Sequence, residues 1–269
     1  MIYVCTVHYA TSRWIDVQLD YLRRALTEPY RVFTCLEDVD GDHAGKFTRV
    51  VPALGPHAGK LNLLAAEVCA EADGDDVIVF LDGDAFPVVD PMPVVHEALA
   101  HSRLVAVRRD ENATDVQPHP SFCAVRVADW LELRGDWSPG HCWRGADGKM
   151  TTDVGGNLLR ALERAGATWT PLLRSNRVDL HPLWYGIYGG IVYHHGAGFR
   201  WAVGRVDLLG QPRQGTTGRR LPVAGPLLRR WDSSRRQRFL TDTAATAQAR
   251  HDEMFAKLAR DPEFYRELV

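Results

Sequence analysis

Val77-Ile78-Val79-Phe80-Leu81-Asp82-Gly83-Asp84 is the stretch that decides the fold. Five consecutive apolar residues have strand length and leave no polar face, which suits a central parallel strand covered on both sides. Two carboxylates stand at its C-terminal end, and ligands of open α/β sheets bind just beyond such ends. A spacing of two sends both side chains to the same side of an extended chain. Gly83 between them adds no side chain, so a ligand can approach the backbone. Two carboxylates aimed one way repel each other unless a cation lies between them. A hard divalent ion, Mg²⁺ or Mn²⁺, takes few protein oxygens and completes its octahedron with water and phosphate oxygens. Asp and Gly also close strands as plain solvated turns, but the place at the end of the most apolar strand favours the metal.

Working outward, the first half of the chain alternates strand and helix. Ile2 to Val7 reads as a strand, Ile15, Leu19, Leu22 and Leu26 as one face of a helix, and Arg31 to Leu36 as a second strand. Lys60 to Ala72 reads as a second helix, with Leu61, Leu64, Val68 and Ala72 on one face, and Leu104 to Val107 as a further strand. This βαβαβ rhythm implies a parallel sheet covered by helices. Beyond it, Phe122 to Val127 reads as a strand and Arg134 to Met150 as a long loop. Thr151-Thr152-Asp153 offers N-cap chemistry for a helix carrying Leu158, Leu159, Leu162 and Ala165 and stopped by Gly166. Thr168 to Leu173 and Ile187 to Tyr193 are expected strands, Gln211 to Arg220 a loop, and Ser234 to Arg260 a helical tail.

Four other segments carry chemistry. Ile191-Val192-Tyr193-His194-His195-Gly196 repeats the pattern of an apolar strand ending in metal-competent residues. One of His194 and His195 is expected to complete a metal site, and one only, because adjacent strand residues point to opposite faces. Gly196 and Arg200 are positioned to receive phosphate oxygens. Thr6-Val7-His8-Tyr9 ends the first strand, where His8 or Tyr9 can stack on a base. Gly59-Lys60-Leu61-Asn62 opens the helix before the motif strand, where a cation and free helix amides suit a diphosphate. Asp153 is either a helix cap or a catalytic or acceptor-binding carboxylate.

Composition narrows the class. The 269 residues are 45% hydrophobic and 25% charged, with a net charge of −2, which excludes disorder and argues against a dedicated nucleic-acid binder. No apolar run approaches the ~20 residues of a membrane span. The N-terminal residues read as a strand, not a signal peptide. Cys5, Cys35, Cys69, Cys123 and Cys142 form no Cys-x-x-Cys pair. Reduced thiols in a cytoplasmic protein are the expectation.

Together these segments resemble the GT-A class of nucleotide-sugar glycosyltransferases. Asp82-Gly83-Asp84 is similar to that class's DxD motif, and His194-His195-Gly196 to the late segment that supplies a third metal ligand in several of its families. Lys60 to Ala72 is similar to the helix before the motif strand. Asp153-Val154-Gly155-Gly156-Asn157 is similar to the segment that presents a carboxylate to the donor or acceptor sugar. The resemblance covers about residues 1–205. It implies a Rossmann-like α/β fold with a mixed, mostly parallel sheet and a helical C-terminal tail. The implied organisation is a catalytic domain over 1–225, with a nucleotide-sugar-binding half (1–110) and an acceptor-side half (111–225). A helical extension follows over 226–269.

The implied activity is metal-dependent transfer of a sugar, as in a hexosyltransferase, from a nucleoside diphosphate sugar to an acceptor hydroxyl. The metal is Mn²⁺ or Mg²⁺, held by Asp82, Asp84 and His194 or His195. Thr6, His8, Tyr9, Lys60, Asn62, Asp82, Gly83, Gly196 and Arg200 are the expected donor-binding residues. Asp153 is the base of an inverting enzyme, or orients the sugar in a retaining one. Phe122-Cys123-Ala124-Val125 stands where glycogenin-like members carry Phe-Asn-Ala-Gly, and Asp153 lacks the preceding Glu of many inverting members, so the stereochemistry stays open. The acceptor class, whether glycan, lipid-linked or small-molecule natural product, stays open too. Two rivals remain: a haloacid-dehalogenase-type phosphatase using Asp82 and Asp84, and a catalytically silent nucleotide-sugar-binding module. The first conflicts with Phe86, which stands where that class carries Thr or Val. Arg229, Arg230, Arg235, Arg236 and Arg238 near Trp231 suit peripheral contact with an anionic membrane. The alternative is a solvated helix packing Phe239, Leu240, Phe255 and Leu258 on the body or on a second copy in a homodimer.

Overall fold

The computed structural model describes residues 1–112, 115–145, 148–181, 184–196, 198, 199 and 224–269, the last segment with its side chains from Ser233 onward. In chain order the elements are β1 (Ile2–Tyr9), α1 (Ile15–Ala25), β2 (Tyr30–Glu37), β3 (Arg49–Val50), α2 (His57–Cys69), β4 (Val77–Asp82), β5 (Ala85–Pro87), α3 (Met92–His101), β6 (Leu104–Arg109), β7 (Asp115–Arg126), α4 (Val127–Leu133), β8 (Trp143–Arg144), β9 (Met150–Thr151), α5 (Gly156–Ala165), β10 (Thr170–Leu172), β11 (Gly186–Tyr188), β12 (Val192–His194) and α6 (Ala224–Arg260).

The Val77–Asp82 strand is β4, and it lies at the centre of a seven-stranded sheet ordered β10-β6-β7-β4-β1-β2-β3. β1 pairs in parallel with both β2 and β4, while β7 alone runs against its neighbours β4 and β6. The alternation along β4 sends Val77, Val79 and Leu81 to one face, with Ile15 and Leu22 of α1 and Met92, Val95 and Leu99 of α3. Ile78 and Phe80 reach the other face, with Leu61, Leu64 and Val68 of α2, Trp130 of α4 and Leu158 and Leu162 of α5. Both faces are covered, which is why the strand is apolar throughout. Full burial of each large aliphatic side chain contributes about 1.5–3 kcal/mol.

A second sheet, β11-β12-β5, stands at the C-terminal edge of β4. The stretch read as one strand over Ile187 to Tyr193 is two antiparallel strands. Gly189 and Gly190, at φ +58° and +71°, turn the chain between them. α2 begins at His57, one turn before the expected start, so Lys60 lies inside its first turn. α5 begins at Gly156, and its N-cap is Gly155 at φ +100°, not Asp153. A Cβ on Gly155 would lie 2.1 Å from the Pro118 carbonyl oxygen, so only glycine lets α5 start this close to β7.

The last turns of α6 belong to the body. Met254 and Leu258 are buried with Phe264, Trp14, Tyr21, Phe86 and Tyr193. The Tyr21 hydroxyl donates to the Leu258 carbonyl at 3.0 Å, and the Arg13 guanidinium lies 3.5 Å from the centre of the Phe255 ring. Phe255 and Leu258 thus pack on the body as the helix-packing alternative expects. Arg235 and Arg238 are exposed, while the side chains of Arg229, Arg230 and Trp231 lie outside those described. No described helix is long and apolar enough to cross a membrane.

Candidate metal and donor site

The tight turn Gly83-Asp84 links β4 to β5, and β5 pairs with β12 so that Ala85 lies opposite His194. That register brings the Asp-Gly-Asp stretch and the two histidines, 110 residues apart in sequence, to one place. Gly83 is required there. A Cβ at this position would lie 2.5 Å from the Val7 carbonyl oxygen and 2.9 Å from a His8 ring nitrogen. A buried amide holds the turn. Gln18 of α1 donates through Nε2 to the Asp82 carbonyl at 2.9 Å and the Ala85 carbonyl at 2.7 Å, and its Oε1 accepts from the Thr6 hydroxyl at 3.0 Å.

Asp82, Asp84 and His194 each offer a ligand atom, and these atoms lie within 4.8 Å of one another. His194 Nε2 is 3.5 Å from Asp84 Oδ1 and 3.7 Å from Asp82 Oδ2. Asp84 is only 4% exposed. Its Oδ2 accepts the Gly198 N–H at 2.8 Å. Burial works to raise its pKa, but the His194 and His195 imidazoles and the Gly198 N–H outweigh it and hold the carboxyl well below the usual range. The group is therefore the ionised Asp84 carboxylate beside the Asp82 carboxyl group, with an imidazole nitrogen facing both. Such a mixed oxygen and nitrogen donor set fits a divalent cation.

Two histidines that the sequence reading did not single out also face Asp82. His57, the first residue of α2, places Nε2 3.0 Å from Asp82 Oδ1. Burial works to lower its pKa, but the hydrogen bond and charge of Asp82 prevail and raise it. His119 of β7 places Nδ1 3.9 Å from Asp82 Oδ2, and that nitrogen accepts the Ser121 N–H at 3.1 Å. The sequence signals for Gln18 and His57 are faint. Gln18 was a polar residue on the apolar stripe of α1, and His57 lay before the expected start of α2.

His195 turns the other way. Its backbone N–H donates to the Asp84 carbonyl at 3.0 Å, while its ring meets the Tyr193 hydroxyl at 2.7 Å and His251 Nδ1 at 2.8 Å. Trp14 packs on it at 4.5 Å. Burial, with His251 beside it, pushes its pKa well down. Of the two histidines, His194 stands with the carboxylates and His195 joins them to α6.

The other sequence-selected residues divide. His8 is fully buried between Phe47 and Phe199, and burial lowers its pKa to about 4. Tyr9 stays exposed beyond the end of β1. Thr6 is buried and bonded to Gln18. Lys60 is buried and paired with the Glu37 carboxylate. The Asn62 amide donates to Asp136 Oδ1 at 2.7 Å and accepts the Trp137 N–H at 2.9 Å, so it fastens the 134–140 loop. Lys60 and Asn62, both expected at a diphosphate, thus already have protein partners. Gly196 follows β12 at φ +78°, and Arg200 lies outside the described residues. Asp153 accepts from Arg109 at 2.8 Å and from the Val154 N–H at 2.8 Å, with part of its carboxylate exposed. Arg109 also holds Asp115 at 3.1 Å.

No family model matches the chain, and no curated protein matches it. Among solved structures it is similar to glycosyltransferases of the GT-A type. S. aureus TarS shares 13% identity over 51% of this chain and 30% of that one, at a TM-score of 0.37. The mannosyltransferase PcManGT from Pyrobaculum calidifontis, in complex with GDP-Man and Mn²⁺, shares 13% over 66% of this chain and 57% of that one, at 0.43. The galactosyltransferase LgtC, in complex with donor and acceptor sugar analogues, shares 10% over 60% and 70%, at 0.36. The match thus spans less than two thirds of the length of TarS and of PcManGT.

Proposed function

We propose that this chain is a metal-dependent glycosyltransferase that moves a sugar from a nucleoside diphosphate sugar to an acceptor hydroxyl. The observation that carries the reading is the convergence of Asp82, Asp84 and His194 at the C-terminal edge of the central strand. A divalent cation bound there, Mn²⁺ or Mg²⁺, would supply Lewis-acid neutralisation of charge on the leaving diphosphate. Gln18, oriented by the Thr6 hydroxyl, keeps the Asp82–Ala85 turn in one shape through two hydrogen bonds. Gly198 and His194 keep the Asp84 carboxylate ionised and aimed.

The donor lies across the ends of β1 and β4. Tyr9, exposed beyond the end of β1, flanks the nucleoside, while the fully buried His8 and the Gly83 turn packed against it form the floor beneath the donor. Thr6 acts through Gln18, and Gly196, which follows β12 at φ +78°, is on the diphosphate side. Lys60, ion-paired with Glu37, and Asn62, bonded to Asp136, support the site from α2. Asp153, oriented by Arg109, is the carboxylate that meets the reacting sugar. As a base it takes the acceptor proton in inversion, and as an orienting group it steadies the sugar in retention. Asp82 has His57 on one oxygen and His194 facing the other, an arrangement that supports a ligand role over a phosphatase nucleophile.

The test is a panel of nucleoside diphosphates and their sugars, each melted with the protein in Mn²⁺ and in EDTA. A saturating ligand at ~100 times its Kd adds about 2.7 kcal/mol of stability. The reading expects this gain in Mn²⁺ alone. Equal gains in EDTA, or none for any nucleotide, contradict it.

A further inference from the structure

Asp82 has a carboxylate with two separate environments. Oδ2 faces the metal group, 3.7 Å from His194 Nε2. Oδ1 accepts the hydrogen bond of His57 Nε2 at 3.0 Å. His57 is not itself one of the three residues whose ligand atoms converge. It approaches from α2, on an element that supplies none of them. The other imidazole on this side has its ring nitrogen engaged. His119 Nδ1 accepts the Ser121 N–H, and at 3.9 Å its contact with Asp82 is not a hydrogen bond. Among the described residues, His57 therefore makes the one side-chain hydrogen bond to this carboxylate.

We propose that His57 is the positioning residue of the metal site: its Nε2–H holds Asp82 Oδ1 and so turns Oδ2 toward Asp84 and His194. The physical need is plain. Two carboxylates at a spacing of two repel, and without a restraint on Asp82 that repulsion favours turning it away from Asp84 while no cation is present. A donor on the far oxygen fixes the side-chain torsion before the cation arrives, so less ordering is left to binding. Helix α2 is suited to carry such a donor, because its buried Leu61, Leu64 and Val68 lock it against the same face as Phe80 of β4. His57 itself is part-exposed, so replacing it leaves the core intact.

The inference rests on the metal-site reading above and is tested with Mn²⁺ alone, with no donor and no turnover. Binding is titrated by loss of the free Mn²⁺ electron paramagnetic resonance signal for wild type, H57A, H57Q and D84N, with melting in EDTA as the fold control. Loss of such an outer partner costs about 10–100-fold in metal affinity. H57A is expected to show that loss. H57Q, which keeps an N–H donor, is expected to recover most of it, which a residue serving the fold alone would not produce. The proposal is overturned if H57A binds Mn²⁺ as tightly as wild type. It is also overturned if H57Q is as weak as H57A, because the imidazole would then be a ligand in its own right. Wild type that takes up no Mn²⁺ overturns the metal reading and the inference together, a result distinct from unchanged binding in H57A.

Discussion

Replacing Gln18 by leucine tests whether the Asp82–Ala85 turn is held by side-chain hydrogen bonds or by the strands alone. Gln18 is fully buried and makes three bonds, two donated to turn carbonyls and one accepted from Thr6. Leucine keeps the approximate volume and removes all three. Each buried polar group left without a partner costs about 1–3 kcal/mol. The Ala85 carbonyl and the Thr6 hydroxyl are the two in fully buried surroundings, so Q18L is expected to lose about 2–6 kcal/mol in total. T6V removes one bond and its own hydroxyl, and is expected to lose about 1 kcal/mol. Q18E is the sharper probe, since it keeps shape but turns an oxygen toward two carbonyl oxygens. Urea unfolding in EDTA gives the stability change, and Mn²⁺ titration gives the effect on the site. Q18L within 0.5 kcal/mol of wild type, a change usual for inconsequential surface sites, with unchanged Mn²⁺ affinity, would refute the clamp.

Further outcomes follow from the same geometry. D84N should cost roughly 10²–10³ in transfer rate, measured as nucleoside diphosphate release. In EDTA it should also melt below wild type at pH 7, because His194 and Gly198 stabilise the charge that Asn lacks; the difference should fade as pH drops below the usual carboxylate range, near 4. His8, whose pKa falls from about 6.5 unfolded to about 4 folded, makes stability decline as pH drops through that window, since only the unfolded chain takes up the proton. H8L should therefore flatten the stability profile between pH 6.5 and 4, read by denaturant midpoints at each pH. R109M should release Asp153 and lower kcat while leaving Mn²⁺ affinity unchanged; equal affinity with equal kcat would remove Asp153 from the chemistry.

Much of the sheet was legible because burial on two faces leaves a plain mark. Val77–Leu81 reads as a central strand since helices cover both its sides, and β1, β2 and β6 follow the same rule. What was not legible depended on long-range register. The split of Ile187–Tyr193 into β11 and β12 turns on two glycines, and apolar periodicity cannot see a hairpin that sits on a second sheet. The start of α2, a turn earlier than expected, was missed because Gly59, a poor helix former, lies inside its first turn. β7 runs back to Asp115 because polar Gln117, His119 and Ser121 are buried at the ligand edge, where a sequence pattern reads them as loop. The site shows the same divide. Asp82, Asp84 and a nearby histidine announce themselves at strand ends. The choice between His194 and His195 is fixed by the pairing of β12 with β5. Gln18 and His57 are brought in by tertiary packing of two helices.

The most direct test of the account measures release of nucleoside diphosphate from a panel of sugar nucleotides, with each acceptor class, in Mn²⁺. The expected result is release from at least one donor, abolished by EDTA and reduced roughly 10²–10³-fold in D84N, with no orthophosphate formed. Orthophosphate release from simple phosphate esters, or donor turnover that survives both EDTA and D84N, would contradict it.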